Sequence, residues 1–535
     1  MINVLNENLY TVLQDRFPED PDAACLILPD GGEVSYGMLH QESARYANLI
    51  VSLGVLPGDR VAVQVEKSAA AVFLYLGCLR AGAVFLPMNV GYQRHEIEHF
   101  LGDGRPSLFV CRPQSRTLAD ELAAKACVPH LLELGDDGEG SLAEAAAEHQ
   151  GTFATVPRAG ADLAAILYTS GTTGRPKGAM LSHGNLAANA LVLHRLWGFR
   201  PGDVLLHMLP IFHAHGLFVA IHCALLNGSP MLFEPRFDAA RAVSLLPRAT
   251  VFMGVPTYYV RLLAESGFTR QQCAGVRLFI SGSAPLLKET FDEFKVRTGH
   301  TILERYGMTE GGMFTSNPYA AERRGGTVGF PLPGTTIRIV DDAGMPAKTG
   351  EVGNILVKGD QVFVGYWRMP EKTREEFTEE RFFKTGDMGR LDDDGYITII
   401  GRSRDLIITG GLNVYPKEIE EMVDGMPGVV ETAVIGRPDP DLGEVVTAVV
   451  VRQKNGAGDA LTETGIINAL KGTIAGFKVP KQVYFVDDLP RNTMGKVQKN
   501  VLQQKVLSGG WTTPAEPYDE GRIRDNRLFI RRGTP

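Results

Sequence analysis

Cysteine is scarce and never paired: Cys25, Cys78, Cys111, Cys127, Cys223 and Cys273 are scattered without a C-x-x-C spacing. That excludes a disulfide framework and a zinc site built on paired thiolates, and it fits a reducing, cytoplasmic setting. Long hydrophobic runs are missing too. The most apolar stretch, residues 69–79, meets Arg80 after eleven positions. A membrane helix needs about 20, so this stretch reads as a buried helix and no membrane partner is expected. Residues 1–17 lack the basic and apolar regions of an export signal. Positive charge is in deficit, with 54 Lys and Arg against 62 Asp and Glu, for a formal net charge of -8. No basic field for a nucleic-acid backbone follows from that balance, so nucleic acid is not expected as a partner. The sequence has no internal repeat and no low-complexity tract. Monomer and dimer both stay open.

What is present is an ordinary globular composition, 44% hydrophobic and 22% charged, over 535 residues, which exceeds one ordinary domain. Residues 8–160 alternate helical segments, such as 36–53, with short apolar runs at 60–64 and 83–87. The alternation continues to residue 334, with buried-strand candidates at 164–169, 204–209, 230–233 and 278–281. It argues an α/β architecture. From 334 to 400 short alternating strands punctuated by glycine, at 336–340, 353–358 and 395–400, read as a small β-rich subdomain. A fresh α+β pattern follows, with a helix at 416–426, strands at 429–436 and 444–452, a helix at 462–476 and a strand at 482–486. The expected organisation is therefore a large N-terminal domain, 1–403, of two α/β sheet subdomains plus the β-rich one. A small α+β C-terminal domain, 404–508, and a charged, Gly- and Pro-containing tail, 509–535, complete it. The boundary is placed at 402–405.

One string stands out. Tyr168-Thr169-Ser170-Gly171-Thr172-Thr173-Gly174-Arg175-Pro176-Lys177-Gly178 directly follows an apolar strand candidate. Its glycines free the backbone, its hydroxyls and amides can donate to phosphate oxygens, and Arg175 and Lys177 add positive charge, so it reads as a polyphosphate cradle. It is not the P-loop of the usual NTPases, because Pro176 stands where that motif needs glycine. Composition alone would equally allow a flexible surface loop; the whole string resembles the adenylate-forming superfamily of acyl-CoA synthetases, luciferases and peptide-synthetase adenylation domains.

Further motifs then fall in that family's order across about residues 10–505. Tyr306-Gly307-Met308-Thr309-Glu310 resembles the segment whose Tyr packs near adenine, whose Thr meets phosphate and whose Glu holds Mg²⁺, with Thr169 as a second metal-side oxygen. The resemblance also implies nucleotide contacts from Ser283, Ala284 and Glu304. Asp387, in Thr385-Gly386-Asp387, matches the ribose-binding acid, and Arg402 the second ribose contact. Read alone, the first is an ordinary turn and the second a polar linker. Arg404 stands at the family's hinge position, where Lys or Asp is more usual, and Lys496, in the loop 490–499, matches its catalytic lysine, whose ammonium would stabilise charge developing on the α-phosphate. Family behaviour implies two steps: an acid and ATP give acyl-AMP, then a mobile C-terminal domain brings Gly410 and Gly411 to line the path of coenzyme A. ATP, Mg²⁺ and coenzyme A are the expected cofactors.

Residues 209–216, 254–261, 281–286 and 490–500 resemble the malonyl-CoA synthetase branch. A buried second carboxylate needs a cation. Arg261 is the candidate, one helical turn past Thr257 on a helix opened by Pro256, with His213, Ser283 and Met308 as further acid-side residues. Arg277 and a protonated His213 are the alternative cations. Ala214, Gly311 and Gly312 are smaller than the branch's usual residues, which would widen the pocket toward methylmalonate. The rivals are a ligase for a short or medium monocarboxylic acid and an adenylation domain loading a carrier protein.

Overall fold

The uninterrupted apolar segments become central strands, buried on both faces as parallel strands require. The computed structural model describes residues 6–169, 176–410, 412–454, 456–471, 473–492 and 495–508. In it His130–Glu133, Leu108–Cys111, Arg60–Gln64, Val84–Pro87 and Leu163–Thr169 lie side by side in parallel. Lys177–Ser182 folds back antiparallel on Leu163–Thr169, and Gly365–Tyr366 closes that edge of the seven-stranded sheet.

A second sheet has nine strands. Its parallel part runs, in spatial order, Ala24–Ile27, Met231–Phe233, Leu205–His207, Val251–Gly254, Leu278–Ser281 and Leu303–Met308. Antiparallel strands flank it, Glu33–Ser35 at one end and Gly312–Ser316 with Phe330–Pro331 at the other. Ligands of such sheets bind beyond the carboxyl ends of the strands. There the chain places the stretches around His213, Pro256 and Ser283, each directly after one of these strands. The expected β-rich segment is a four-stranded sheet of Thr336–Val340, Gly353–Lys358, Phe383–Leu391 and Ile397–Arg402.

The run at 69–79 is the buried helix Ala69–Ala81, capped by the Ser68 hydroxyl and closed by Gly82 in the left-handed region. Among the described residues no helix is long and apolar enough to cross a membrane.

The chain parts into two compact units between Ile400 and Gly401. In the second, Leu412–Val414, Ile407–Thr409, Gly443–Arg452 and Val429–Asp439 form a sheet that Gln482–Val486 joins in parallel. Ile419 and Val423 of the helix Pro416–Asp424, and Ile466 and Leu470 of Glu463–Lys471, fill its core. The helix expected over 462–476 is the shorter Glu463–Lys471.

Candidate active site

The two ends of the glycine-rich string belong to paired antiparallel strands. Thr169 ends one strand directly opposite Lys177, which begins the next, and its hydroxyl lies 3.4 Å from the Lys177 carbonyl oxygen. Ser170, Gly171, Thr172, Thr173 and Gly174 lie outside the described residues. Lys177, expected to add positive charge to the cradle, is buried; its Nζ is 3.6 Å from Glu376 Oε1 and 4.3 Å from the centre of the Tyr366 ring. The same Tyr366 donates its hydroxyl to Glu310 Oε1 at 3.0 Å. Lys177 and Glu310, 133 positions apart in the chain, therefore converge on one phenol ring. Tyr366 and Glu376 carry no motif of their own, so sequence reasoning missed them.

Glu310 is buried in the turn between Leu303–Met308 and Gly312–Ser316. A buried carboxylate with a hydroxyl such as Thr169 supplies hard oxygen donors, which suits Mg²⁺, and phosphate oxygens would complete the shell. The same turn depends on Gly307, where a Cβ would come within 1.9 Å of the Gly312 carbonyl oxygen. Two positions before Met308, the Tyr306 hydroxyl donates to Asp387 Oδ2 at 2.5 Å. The adenine-side and ribose-side residues named from the sequence are thus in direct contact. Glu304 is buried and accepts from the Gly326 amide at 3.0 Å; Thr309 and Met308 are partly buried.

A second cluster stands at the carboxyl edge of the nine-stranded sheet. Ser283 adopts φ 73°, a left-handed conformation that costs a non-glycine residue energy and is concentrated at functional sites. Its hydroxyl lies 3.3 Å from His215 Nδ1, and the His215 amide donates to His213 Nδ1 at 3.2 Å. Ala284 follows, partly buried. His215 opens a π-helical segment, His215–Ile221, which no sequence periodicity announced; π-helical turns are rare and recur at functional sites. Burial, aided by the charge of Arg305, lowers His213 to about 4 and puts His215 well below its ordinary value. His213 is therefore neutral at pH 7 and cannot be the cation considered for a second carboxylate. Arg277 is excluded as well: it is bound to Asp203 through Nε at 2.8 Å and through Nη2.

Arg261 lies on Pro256–Ala264, as expected, but is exposed and forms no ion pair among the described residues. The dry setting expected for it is absent from the ligand-free chain, because an unpaired guanidinium is most stable in water. Arg305 is the residue that sequence reasoning missed. It directly precedes Tyr306, is 4% exposed, and presses so close to Gly282 that a Cβ there would lie 2.4 Å from its Cζ.

A small cavity is bordered by Ala214, Phe218, Leu186, Asn189, Thr309 and Gly311. Ala214 leaves this space open. The two glycines act differently from the expectation: a side chain at 311 would strike the Phe314 ring at 2.3 Å, and one at 312 the Asn189 amide oxygen at 2.5 Å. They make room for protein neighbours.

In the second unit Gly410 follows Ile407–Thr409 with φ 56° and donates its amide to the Leu442 carbonyl at 2.8 Å; Gly411 lies outside the described residues. Arg402 ends the strand Ile397–Arg402, and Arg404 sits in the single 3₁₀ turn Ser403–Asp405, 3.6 Å from Asp405. Lys496 lies in the stretch between the bridged residues Arg491 and Val497, ahead of the helix Lys499–Leu507.

Comparison with known proteins bears on this geometry. Over 534 residues, 92% of this chain and 89% of the relative, the chain is 35% identical to "Malonate--CoA ligase ACSF3, mitochondrial" of Bos taurus. It is also 35% identical to a feruloyl-CoA synthase of Amycolatopsis sp, over 89% of this chain and 94% of that protein. Among solved structures, ATP-bound MatB from Rhodopseudomonas palustris superposes with a TM-score of 0.91 at 52% identity, covering 94% of this chain and 99% of that one. The model of the AMP-binding enzyme family matches residues 13–367, and that of the AMP-binding enzyme C-terminal domain matches residues 418–496. The chain belongs to the AMP-binding enzyme family.

Proposed function

We propose that the chain is an ATP-dependent acid:coenzyme A ligase for malonate, forming malonyl-CoA, AMP and pyrophosphate, with C2-substituted malonates such as methylmalonate as further substrates. In the first step a carboxylate oxygen attacks the α-phosphorus of ATP and the bond to pyrophosphate breaks. Thr169, Ser170, Gly171, Thr172, Thr173, Gly174 and Lys177 would cradle the phosphates. Thr309 would join them at the phosphates, Ser283, Ala284, Glu304, Tyr306 and Gly307 would contact the nucleoside end, and Asp387 and Arg402 the ribose. Lys496 would stabilise the negative charge that builds at the α-phosphate. Mg²⁺, held by Glu310 and Thr169, would offset phosphate charge. In the second step the coenzyme A sulfur attacks the acyl carbonyl and AMP leaves, with Gly410 and Gly411 along the thiol's route and Arg404 as the hinge. The proposed domains are 1–403 for ATP and acid, 404–508 carrying Lys496, and a tail at 509–535; the proposed setting is cytoplasmic.

Equal likeness to a malonate ligase and a feruloyl synthase leaves the acid to be decided by the site. The observation that carries malonate is Arg261, a guanidinium one turn into the helix that starts at the sheet's carboxyl edge, with no carboxylate partner among the described residues. With His213, Ser283 and Met308 it would take the distal carboxylate in a bidentate pair. A neutral aromatic tail would leave that cation unanswered. Pyrophosphate exchange into ATP, driven in turn by malonate, methylmalonate, propionate and ferulate without coenzyme A, tests the reading. Malonate should drive it best; exchange led by ferulate or propionate would replace malonate with a monocarboxylic acid.

A further inference from the structure

Burying a guanidinium costs several kcal/mol unless an anion and hydrogen bonds offset it. Other inward-facing cations of the first unit are held at their charged ends by a carboxylate or by carbonyl oxygens. Arg277 is held by Asp203, and Lys67 donates to His207 Nδ1 at 2.7 Å, the His207 carbonyl at 2.8 Å and the Glu234 carbonyl at 2.6 Å. Arg80, whose Nε also lacks an acceptor, still places Nη1 and Nη2 on the His40 and Phe153 carbonyls. Arg305 differs. Its Nε and Nη2 are sealed from solvent without an acceptor, and it makes no ion pair among the described residues. Burial lowers its pKa only to about 9, so it remains a cation at neutral pH.

Its position is built rather than incidental. Pairing of Ser281 with Glu304 sets Gly282 beside Arg305 at the carboxyl edge of the parallel strands. Gly282 does not have a positive φ, so glycine is needed there for space: any Cβ would collide with the guanidinium. The groups facing Arg305 are the neutral His213 and His215 and the Tyr259 ring, whose hydroxyl is already given to the Ile280 carbonyl. None of them supplies negative charge.

We propose that Arg305 is a second cation for the non-reacting carboxylate of the substrate, seated inside the site while Arg261 waits at its exposed side. By filling the slot over Gly282 it also restricts the acid to a short chain. The inference rests on the dicarboxylate reading above and deepens it. Arg305 is thus a specificity-determining residue, and its removal should exchange one substrate class for another.

The test uses the full chain as wild type, Arg305→Met and Arg305→Lys, with pyrophosphate exchange measured on malonate and propionate and thermal unfolding followed with ATP and Mg²⁺, with and without malonate. Arg305→Met should lower kcat/KM for malonate by about thirtyfold or more, the scale of truncating one member of a buried charged pair. Propionate use should hold or rise, and malonate should no longer raise the melting temperature although ATP still does. Arg305→Lys keeps the charge without the planar fork, so it should shift the preference in the same direction by less. An unchanged malonate-to-propionate ratio in either variant overturns the inference. So does an equal loss on both acids in a variant that ATP still protects. Should the methionine variant not fold, the lysine variant decides alone. A wild type that does not prefer malonate sinks the dicarboxylate reading itself, before any substitution is made.

Discussion

Lys496 and Arg261 separate chemistry from recognition. The loop of Lys496 is gripped at both ends, by Arg491 on Glu431, by Lys499 Nζ 2.6 Å from Glu420, and by the Gln498 amide on the Pro490 carbonyl at 2.8 Å. Lys496→Ala should therefore remove a charge without unseating the loop. Adenylation is expected to fall about a hundredfold or more, as when one preorganised charge-stabilising group is lost. Thioester formation from pre-made acyl-AMP should persist; equal losses in both half-reactions would refute the assignment. Arg261→Met should cost malonate about thirtyfold, for an exposed cation that becomes buried only with its substrate. Rates for propionate, measured in parallel, should be unaffected or higher. Candidate nucleotide-side residues could be named from the sequence because phosphate and metal chemistry demand fixed residue types at fixed spacing. Arg305 was not, since a buried unpaired cation is defined by what surrounds it, and Gly282 meets it only through the pairing of two strands.

The helix that follows the strand Lys177–Ser182, His183–Leu196, gives a prediction at the level of elements. Ser182 and Asn185 cap it reciprocally: the Ser182 hydroxyl accepts from the Asn185 amide at 3.1 Å, and Asn185 Oδ1 accepts from the Ser182 amide at 3.0 Å. Ser182→Ala should lower stability by about 1 kcal/mol, the usual cost of a lost cap. Asn185→Ala should cost more, because its Nδ2 also holds the Asp360 and Val362 carbonyls at 2.7 and 2.9 Å. Denaturant midpoints with unchanged m-values would establish the ranking, and equal effects would contradict it. Strands such as Arg60–Gln64, Leu278–Ser281, Gly353–Lys358 and Gln482–Val486 have the bounds their sequence implied, since apolar or alternating runs between turn residues leave little choice. The π-helical His215–Ile221 had no such signal: after His215 it has no polar side chain to mark a face, and it is buried throughout.

Buried histidines set the acid sensitivity of the whole molecule. Burial lowers His183 and His213 to about 4 and His222 to about 3, against an ordinary 6.5. Below pH 6.5 the unfolded chain binds protons that the folded chain refuses, so their contribution is complete above that pH and is lost as pH falls toward 4. The slope is about 1.4 kcal/mol per pH unit for each such histidine. Melting temperature should thus drop between pH 7 and pH 5, and His222→Gln, which removes one titrating group, should flatten the drop; an unaltered slope would show that carboxylates dominate. The α/β layers and the smaller second unit were readable from alternating patterns, whereas the order of strands within each sheet depends on packing between distant segments. The most direct measurement of the central claim is a competition. Purified protein is given ATP, Mg²⁺, coenzyme A and an equimolar mixture of malonate, propionate and ferulate, and the thioesters are separated by mass. Malonyl-CoA, appearing in step with AMP, should dominate; a mixture led by propionyl- or feruloyl-CoA, or AMP release without any thioester, would contradict it.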